Sequence, residues 1–286
     1  MFKLNNEENL RFYPVGKEEL CSMLNDSFQH ISGILGPFSD EEVVVSLKES
    51  GGGGSVPGFF SISPLILSDQ SAKESLFSFI LHEMTHALTY QWGESFLPLF
   101  SEGGAYLIGG IYLESKYSND FNAFVKAYLE TERLHLVDLL DPQRFFSDKE
   151  SYGCTSRYSA SFVGYLLDNF GVESIKATFK YGGEIDYEKS RYHKAKKHRI
   201  DCLKRWLSDI GKKTIQDLET EYLEFIHNTV KINHNPAFIE RKNKDCQRRA
   251  YPFWRCYKCW RPNKETTNRC SYCSAKRQER NEFDRM

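Results

Sequence analysis

The sequence predicts an α+β protein in which a small sheet precedes a helical lobe and a short cysteine-rich module. Short apolar runs rich in β-branched and aromatic residues occupy the first part of the chain, whereas from Ser71 onward apolar residues recur with helical spacing. Strands followed by helices are typical of α+β folds. At 286 residues and 40% hydrophobic content, the chain is long enough to bury a substantial core.

The sequence predicts the order of the helices and strands along the chain. We expect a helix over 17–32, a strand at Val43–Leu47 and a second strand from Phe59 to Leu67 that Pro64 interrupts. Gly51 to Ser55 is most simply a flexible loop, and its composition is also that of engineered linkers. Helical periodicity then predicts helices at 71–92, 98–116, 120–136, 157–170, 172–180, 190–210 and 214–230.

The helix predicted at 71–92 has clear ends and a buried character. Ser71 and Glu74 form a capping box at its start, and Gly93 supplies a stop. Apolar residues cover most of its circumference, namely Phe77, Phe79, Ile80, Leu81, Met84, Ala87 and Leu88. We therefore expect this helix to lie inside the protein.

This apolar helix contains the pentapeptide His82-Glu83-Met84-Thr85-His86. Residues four apart share a helix face, so His82 and His86 can donate ring nitrogens to one Zn²⁺. Glu83, beside the metal without binding it, can take a proton from a water whose pKa the metal lowers to about 7. The alternative is a pair of surface histidines, but buried polar groups need a strong partner, and a metal ion is the simplest one.

A second helix beginning at Pro98 carries the candidate third ligand, Glu102. Entered after a short connection, this helix can return antiparallel to the first, so that Glu102 faces the histidine pair. Three protein ligands with one position open for water are what catalytic zinc requires. The small residues Gly103, Gly104 and Ala105 allow close contact between helices.

The motif resembles that of the gluzincin metallopeptidases of the peptidase MA-like group, in which H-E-x-x-H is followed by an x-Glu-Gly-x-Ala element. The resemblance implies a zincin-like catalytic domain with His82, His86 and Glu102 as zinc ligands and Glu83 as general base. It also implies that a strand beside the active-site helix pairs with extended substrate, for which Phe59–Ser63 is the candidate.

The likeness continues more weakly through Tyr158–Gly171, where family members carry a helix that ends in an aromatic residue and a glycine. In many of them a tyrosine just before that helix donates a hydrogen bond to the oxyanion. We assign this role to Tyr158, with Tyr152 as the alternative. A packing role for either tyrosine is an equally good interpretation.

Two C-x-x-C pairs near the C-terminus have the spacing of a four-thiolate zinc site. A module of this size has no sufficient apolar core of its own, so bound metal supplies most of its folding free energy. With Trp254 and Asn263, the spacing resembles the Ran-binding-protein-type zinc finger, and a plain zinc ribbon like that of SprT-like proteases is the alternative. The four expected ligands are Cys256, Cys259, Cys270 and Cys273.

The partner of this finger stays open between ubiquitin-like proteins and single-stranded RNA. Ubiquitin-binding members carry Thr-Phe after the second cysteine, where this chain has Trp260-Arg261. RNA-binding members carry an aromatic residue just after the asparagine, where this chain has Lys264. Neither pattern is satisfied, so the finger alone does not select the ligand.

Charge is distributed unevenly along the chain. Residues 241–286 hold 14 Lys and Arg against 5 Asp and Glu, a net charge of +9, whereas residues 1–240 hold 24 against 34, a net charge of −10. Aromatic residues are interleaved with the basic ones, which is the composition of single-strand-binding surfaces. The alternative is a solvated basic tail around a metal site.

The sequence has features of an intracellular protein without a membrane partner. No segment has 18 uncharged apolar residues, and the N-terminus lacks the form of a secretory signal. Cys21, Cys154, Cys202 and Cys246 are scattered as reduced thiols would be, without the spacing of a disulfide framework.

These observations predict a cytoplasmic zinc metallopeptidase with one catalytic and one structural zinc ion. We expect a catalytic domain at 1–235, a basic linker at 236–250, a four-cysteine finger at 251–276 and a basic tail at 277–286. The finger would recruit a protein substrate or partner. The alternatives are a SprT-like protease acting on nucleic-acid-associated proteins, and a non-catalytic, zinc-stabilised protein that binds nucleic acid or protein.

Overall fold

The chain has the α+β architecture that the sequence predicts, mostly helical with one four-stranded sheet. It consists of two compact units, the first built from Met1–Glu94 and Gly104–Asn119, the second from Ser95–Gly103 and Asp120–Met286. The computed structural model describes residues 2–39, 42–49, 54–64, 72–93, 97–117, 121–129, 135–140, 145, 152–182, 192–230, 253–255 and 262–264.

Short strands come first and helices dominate the rest of the chain. The strands are β1 (Phe2–Asn5), β2 (Val43–Leu47), β3 (Gly54–Val56), β4 (Phe59–Ile62), β5 (Phe253–Arg255) and β6 (Pro262–Lys264). The α-helices are α1 (Lys17–Leu35), α2 (Ala72–Thr89), α3 (Pro98–Tyr117), α4 (Phe121–Leu129), α5 (Leu136–Leu140), α6 (Tyr152–Gly182), α7 (Tyr192–Asp209) and α8 (Ile215–Thr229). Within the described ranges, 3-10 helices cover Glu7–Phe12 and Tyr90–Trp92.

The sheet of the first unit has the strand order β1-β2-β4-β3. β1, β2 and β4 are parallel, whereas β3 runs antiparallel to β4 and forms one edge. β3 and β4 are joined through Pro57 and Gly58, and Gly58 adopts a φ of 65°, which glycine tolerates without strain. The expectation that Phe59–Ser63 pairs with extended substrate is therefore wrong, because β4 is paired on both sides; among the described strands, β1 and β3 form the two edges of this sheet.

The spacing of apolar residues in α1 and β2 explains which face of each element is buried. β2 buries its alternate residues Val43, Val45 and Leu47, as a strand does when one face meets the core. α1 buries a single stripe with helical spacing, formed by Leu20, Leu24, Ser27, Ile31 and Leu35. α2 packs against α1, β3 and β4. The first unit thus combines the sheet with two helices: α2 contacts the sheet, and α1 contacts α2.

Tyr13 fastens the ends of two neighbouring strands. Its buried hydroxyl donates to the carbonyl oxygen of Ile62 at 2.7 Å, and the backbone N–H of Lys48 approaches the same hydroxyl at 3.2 Å. Asn9, one turn earlier, donates from Nδ2 to the carbonyl of Leu47 at 2.9 Å. Burial raises the pKa of Tyr13 to about 12, so the hydroxyl remains a donor at neutral pH.

The second unit is helical and has an aromatic core. α4 packs on α6 and α8, and α6 packs on α7. The Trp206 ring on α7 meets Phe100 at a centroid distance of 4.8 Å and donates from Nε1 to the carbonyl of Ser174 at 2.9 Å. The largest fully buried side chains of this unit are Phe100, Phe124, Phe145, Tyr158, Phe162, Trp206 and Tyr222.

Polar contacts fix the ends of α8. Thr214 caps its N-terminus by accepting from the N–H of Asp217 at 3.0 Å. At its C-terminus, the Lys126 ammonium donates to the carbonyls of His227 and Val230, which have no helical donor. Each end of the helix therefore has a side-chain partner for part of its unpaired backbone groups.

Several boundaries differ from those predicted. β1, β3 and both 3-10 helices were not expected, and β4 ends at Ile62 instead of reaching Leu67. The helix predicted at 120–136 ends at Leu129, and α5 begins separately at Leu136. The helices predicted at 157–170 and 172–180 form one element, α6, broken only at Gly171, where φ is 74°. Ser71, the expected cap of α2, lies outside the described residues.

The C-terminal module is described only as a hairpin. β5 and β6 pair antiparallel, with Trp254 opposite Asn263. All four cysteines expected to bind zinc lie outside the described residues. Of the other four, Cys21 and Cys202 are free thiols, as expected. In the described part of the chain, no helix combines the length and apolar content that a membrane span requires.

Removing the Tyr13 hydroxyl should lower the free energy of unfolding. We expect Tyr13→Phe to cost about 1 kcal/mol, because a buried hydrogen bond between strand ends is lost while the ring keeps its packing. Tyr181→Phe is the matched control, since its hydroxyl bonds Asp209 in an exposed position, where loss of the bond costs little. Urea unfolding measures both; equal losses in the two variants would contradict the account.

Candidate metal centre

His82 and His86 lie four residues apart on α2, and their rings meet at the less buried stripe of the helix. The two Nε2 atoms are 3.2 Å apart, and the ring planes are inclined by 83°. Two nitrogens that bind one tetrahedral Zn²⁺ at about 2.0–2.1 Å lie about 3.3–3.4 Å apart. The same separation also suits a hydrogen bond in which one Nε2 carries the proton and the other accepts.

α3 runs antiparallel to α2 in the first unit. The ring of Tyr106 contacts the ring of His82 at a centroid distance of 5.1 Å. Three residues further along α3, a Cβ on Gly109 would lie 3.5 Å from the backbone oxygen of Ser78, which is ordinary van der Waals contact. The residue number rises along α3, from Tyr106 to Gly109, while the number of the facing residue falls along α2, from His82 to Ser78. The two helices are therefore antiparallel, as expected from the sequence.

Glu102 completes a group of three potential ligands. It lies one turn before Tyr106 on the same continuous helix, as His86 lies one turn after His82, so helix geometry carries it towards His86. One ligand atom each from His82, His86 and Glu102 fall within 4.8 Å of one another, and all three residues are half-buried. Two imidazoles and one carboxylate form a donor set suited to holding a divalent metal such as zinc.

Glu83 lies next to this group and is only 8% exposed. A carboxylate at such a position is removed from bulk water, which strengthens its interactions with neighbouring charges and protons. Thr85, within the same pentapeptide, turns its hydroxyl back to the helix and donates to the carbonyl of Leu81 at 2.7 Å. Its polar group is thereby satisfied inside the core.

The C-terminal end of α2 is fastened within the first unit. The ring of Trp92 stacks on Phe38 at a centroid distance of 5.1 Å and an interplanar angle of 19°. Next to this pair, Gln91 Oε1 accepts from the N–H of Ser39 at 2.9 Å. Gly93 ends the segment with a φ of 122°, which confirms the predicted stop. The helix that carries both histidines is therefore anchored just beyond them.

The two glycines after Glu102 have different surroundings. A Cβ on Gly103 would lie 2.8 Å from the backbone oxygen of Ser159 on α6, a distance that real Cβ atoms do not occupy. A Cβ on Gly104 would meet nothing within 4 Å. Only Gly103 therefore permits the close approach of helices that the sequence predicts for this cluster, and it does so in the residue next to Glu102.

Tyr158, the predicted oxyanion donor, lies in the core of the second unit. Its side chain is fully buried, and its ring meets that of Tyr222 at a centroid distance of 5.9 Å. Tyr222 in turn bonds through its hydroxyl to Ser161 Oγ at 2.7 Å, and burial raises the pKa of Tyr222. Tyr152 is the first residue of α6. A catalytic role for either tyrosine stays a prediction.

Tyr106 is the site residue that sequence reasoning missed. It follows Glu102 by four residues in a predicted helix, so the helical period alone places both on one face. The four-residue spacing could therefore have predicted that Tyr106 lies beside Glu102. Which side chain of the neighbouring helix this face meets depends on the packing register of α2 and α3, which sequence spacing does not contain.

No protein-family model, curated protein or solved structure matches the chain.

Substituting the two glycines separately should give opposite results. We expect Gly103→Ala to lower the free energy of unfolding by about 1–3 kcal/mol, because the helices must move apart. Gly104→Ala should be neutral or stabilising by up to about 1 kcal/mol, since alanine is the better helix former. Urea unfolding of the pair tests this. Equal stability changes would mean that α3 and α6 do not cross closely at Gly103.

Proposed function

We propose that the chain is a zinc-dependent metallopeptidase of gluzincin type with a zincin-like catalytic domain. The observation that carries this proposal is the grouping of His82, His86 and Glu102 beside the buried Glu83. Two imidazole nitrogens 3.2 Å apart are already spaced as ligands of one zinc ion. A carboxylate oxygen of Glu102 lies within 4.8 Å of a ligand nitrogen of each histidine, so the donor set fits a zinc ion.

Each residue has a defined task in peptide hydrolysis. When bound, zinc lowers the pKa of a water molecule and polarises the scissile carbonyl. His82, His86 and Glu102 would hold the ion. Glu83 takes the proton from the attacking water and later delivers it to the leaving amine, as a general base and then a general acid. A donor to the oxyanion is also required, and Tyr158 remains the assigned candidate, with Tyr152 as the alternative.

The edge of the sheet suits an extended peptide substrate. β3 is the edge strand that lies against α2, the helix carrying both histidines. Val56 on this strand is 52% exposed, unusually open for a large apolar residue. An extended peptide can add to such an edge through main-chain hydrogen bonds. Substrate pairing, first expected of β4, is therefore reassigned to β3.

The C-terminal module is proposed to be a structural zinc finger that recruits a substrate or partner. Cys256 and Cys259 lie between β5 and β6 in the sequence, as a first ligand pair of a zinc knuckle would. Cys270 and Cys273 would complete the four-thiolate set. The reduced state that these ligands need agrees with the free thiols Cys21 and Cys202, so an intracellular, cytoplasmic location is part of the proposal.

The charge of the C-terminal segment supports a second candidate function. With a net charge of +9, residues 241–286 have the electrostatic character of a nucleic-acid-binding segment. A protease acting on nucleic-acid-associated proteins, as SprT-like enzymes do, would use this charge for recruitment. Those enzymes usually take histidine as the third ligand, so Glu102 favours the gluzincin type. A ubiquitin-like partner and a purely binding role are the remaining alternatives.

Replacing Glu83 should abolish turnover while zinc stays bound. We expect Glu83→Gln to reduce peptide cleavage at least about 100-fold, because the amide cannot accept the proton of water. Cleavage mapped by mass spectrometry on a proteome-derived peptide library measures this, with zinc content determined in parallel. Glu19→Gln, which removes an exposed carboxylate paired with Lys73, is the matched control.

The outcome of this comparison separates the proposals. Cleavage that persists in Glu83→Gln would contradict the mechanism. Full zinc loading of the wild type without cleavage of any peptide would favour the purely binding alternative.

Nucleic acid should stimulate cleavage only if the second candidate function is correct. In that case, adding single-stranded DNA raises the cleavage rate of a DNA-bound protein substrate, and the effect weakens with salt because counterions compete for phosphate contacts. The test variant replaces Arg248 and Arg249, in the basic segment, with glutamine, which should weaken the stimulation. Stimulation that is unchanged by salt and by this variant would contradict electrostatic recruitment.

A further inference from the structure

The imidazole of His82 is contacted by two rings, each nearly perpendicular to it. His86 approaches on the same helix with a centroid distance of 4.8 Å, and Tyr106 approaches from α3 with a centroid distance of 5.1 Å and an interplanar angle of 87°. Perpendicular aromatic pairs at this distance are attractive and directional. The Tyr106 ring is thus a neighbour of His82 that comes from outside its own helix.

Tyr106 is well supported for such a role. The residues around it on α3 are buried, with Ala105 and Ile108 fully enclosed, and Gly109 lies against Ser78 of α2. Tyr106 therefore lies on a continuous helix between enclosed neighbours, and the helix holds its backbone in place. A mobile surface loop would not fix a ring in this way.

Tyr106 also shares a helix face with Glu102, one turn earlier. Any displacement of this face moves the ring that touches His82 and the carboxylate expected to bind zinc. The orientation of one ligand and the position of another are thus linked through a single helix. Ligand orientation matters because a zinc ion accepts an imidazole nitrogen only along its lone pair.

We propose that Tyr106 is a positioning residue for the metal centre, whose ring orients the imidazole of His82 for zinc binding. The inference rests on the proposed function, since it requires that His82 binds zinc. The contact with His82 is made by the aromatic ring, which phenylalanine keeps and alanine removes. Phenylalanine should replace tyrosine, and alanine should not.

The experiment compares zinc affinity among variants of the full chain. Competition with a chromogenic chelator gives the zinc dissociation constant, and the zinc released only in wild type and not in His82→Ala identifies the site on α2. Tyr106→Ala should weaken that affinity about 10-fold or more, in the range that residues supporting metal ligands show. Tyr106→Phe should stay within about 2-fold of wild type.

Val45→Ala controls for a general loss of stability. Val45 is fully buried on β2 of the same unit, so its truncation should lower the urea midpoint while the zinc affinity of the folded protein is kept. The proposal is overturned if Tyr106→Ala binds zinc as wild type does, if Tyr106→Phe loses as much affinity as Tyr106→Ala, or if Val45→Ala loses as much as Tyr106→Ala. Equal zinc binding by wild type and His82→Ala would overturn the metal centre itself together with this inference.

Discussion

The antiparallel packing of α2 against α3 is the constraint on which the candidate metal centre depends. Contacts between Ser78 and Gly109 and between His82 and Tyr106 fix the register of the two helices within the first unit. Because α3 is continuous, this register carries Glu102 to the histidine pair. A shift of α3 by one residue would rotate Glu102 by about 100° and remove it from the site.

The burial of α2 stabilises this packing, and it makes the polar residues on the helix notable. Where burial is described, apolar side chains cover most of the helix, and a stripe that includes His82 and His86 is less buried. Glu83 nevertheless lies in an enclosed position at 8% exposure. A buried polar group without a strong partner lowers the free energy of unfolding. Such groups therefore commonly mark functional sites. A metal ion would be the strongest partner for this set of donors.

The sequence predicts the long helices, and the helix face that His82 and His86 share, because each has a local signal. Pro98 begins α3, Gly93 ends the segment after α2, and the helical period places His82 and His86 on one face. β3 has no such signal, since Gly54 and Ser55 are poor strand formers that become a strand only by pairing with β4.

The remaining features depend on contacts between segments far apart in the chain. Gly103 and Gly104 are equivalent in the sequence, and only the crossing with Ser159 of α6 distinguishes them. The contact of Tyr106 with His82 likewise follows from the register of two helices, which no spacing within one helix determines. Local periodicity therefore predicts which residues share a face, whereas tertiary packing decides what that face meets.

Anomalous diffraction at the zinc edge, from crystals of the zinc-loaded full chain, tests the central claim most directly. The account predicts a peak about 2.0–2.2 Å from Nε2 of His82, Nε2 of His86 and one carboxylate oxygen of Glu102. Zinc-loaded crystals in which the two histidines bond to each other, with Glu102 turned away and no peak between them, would contradict it.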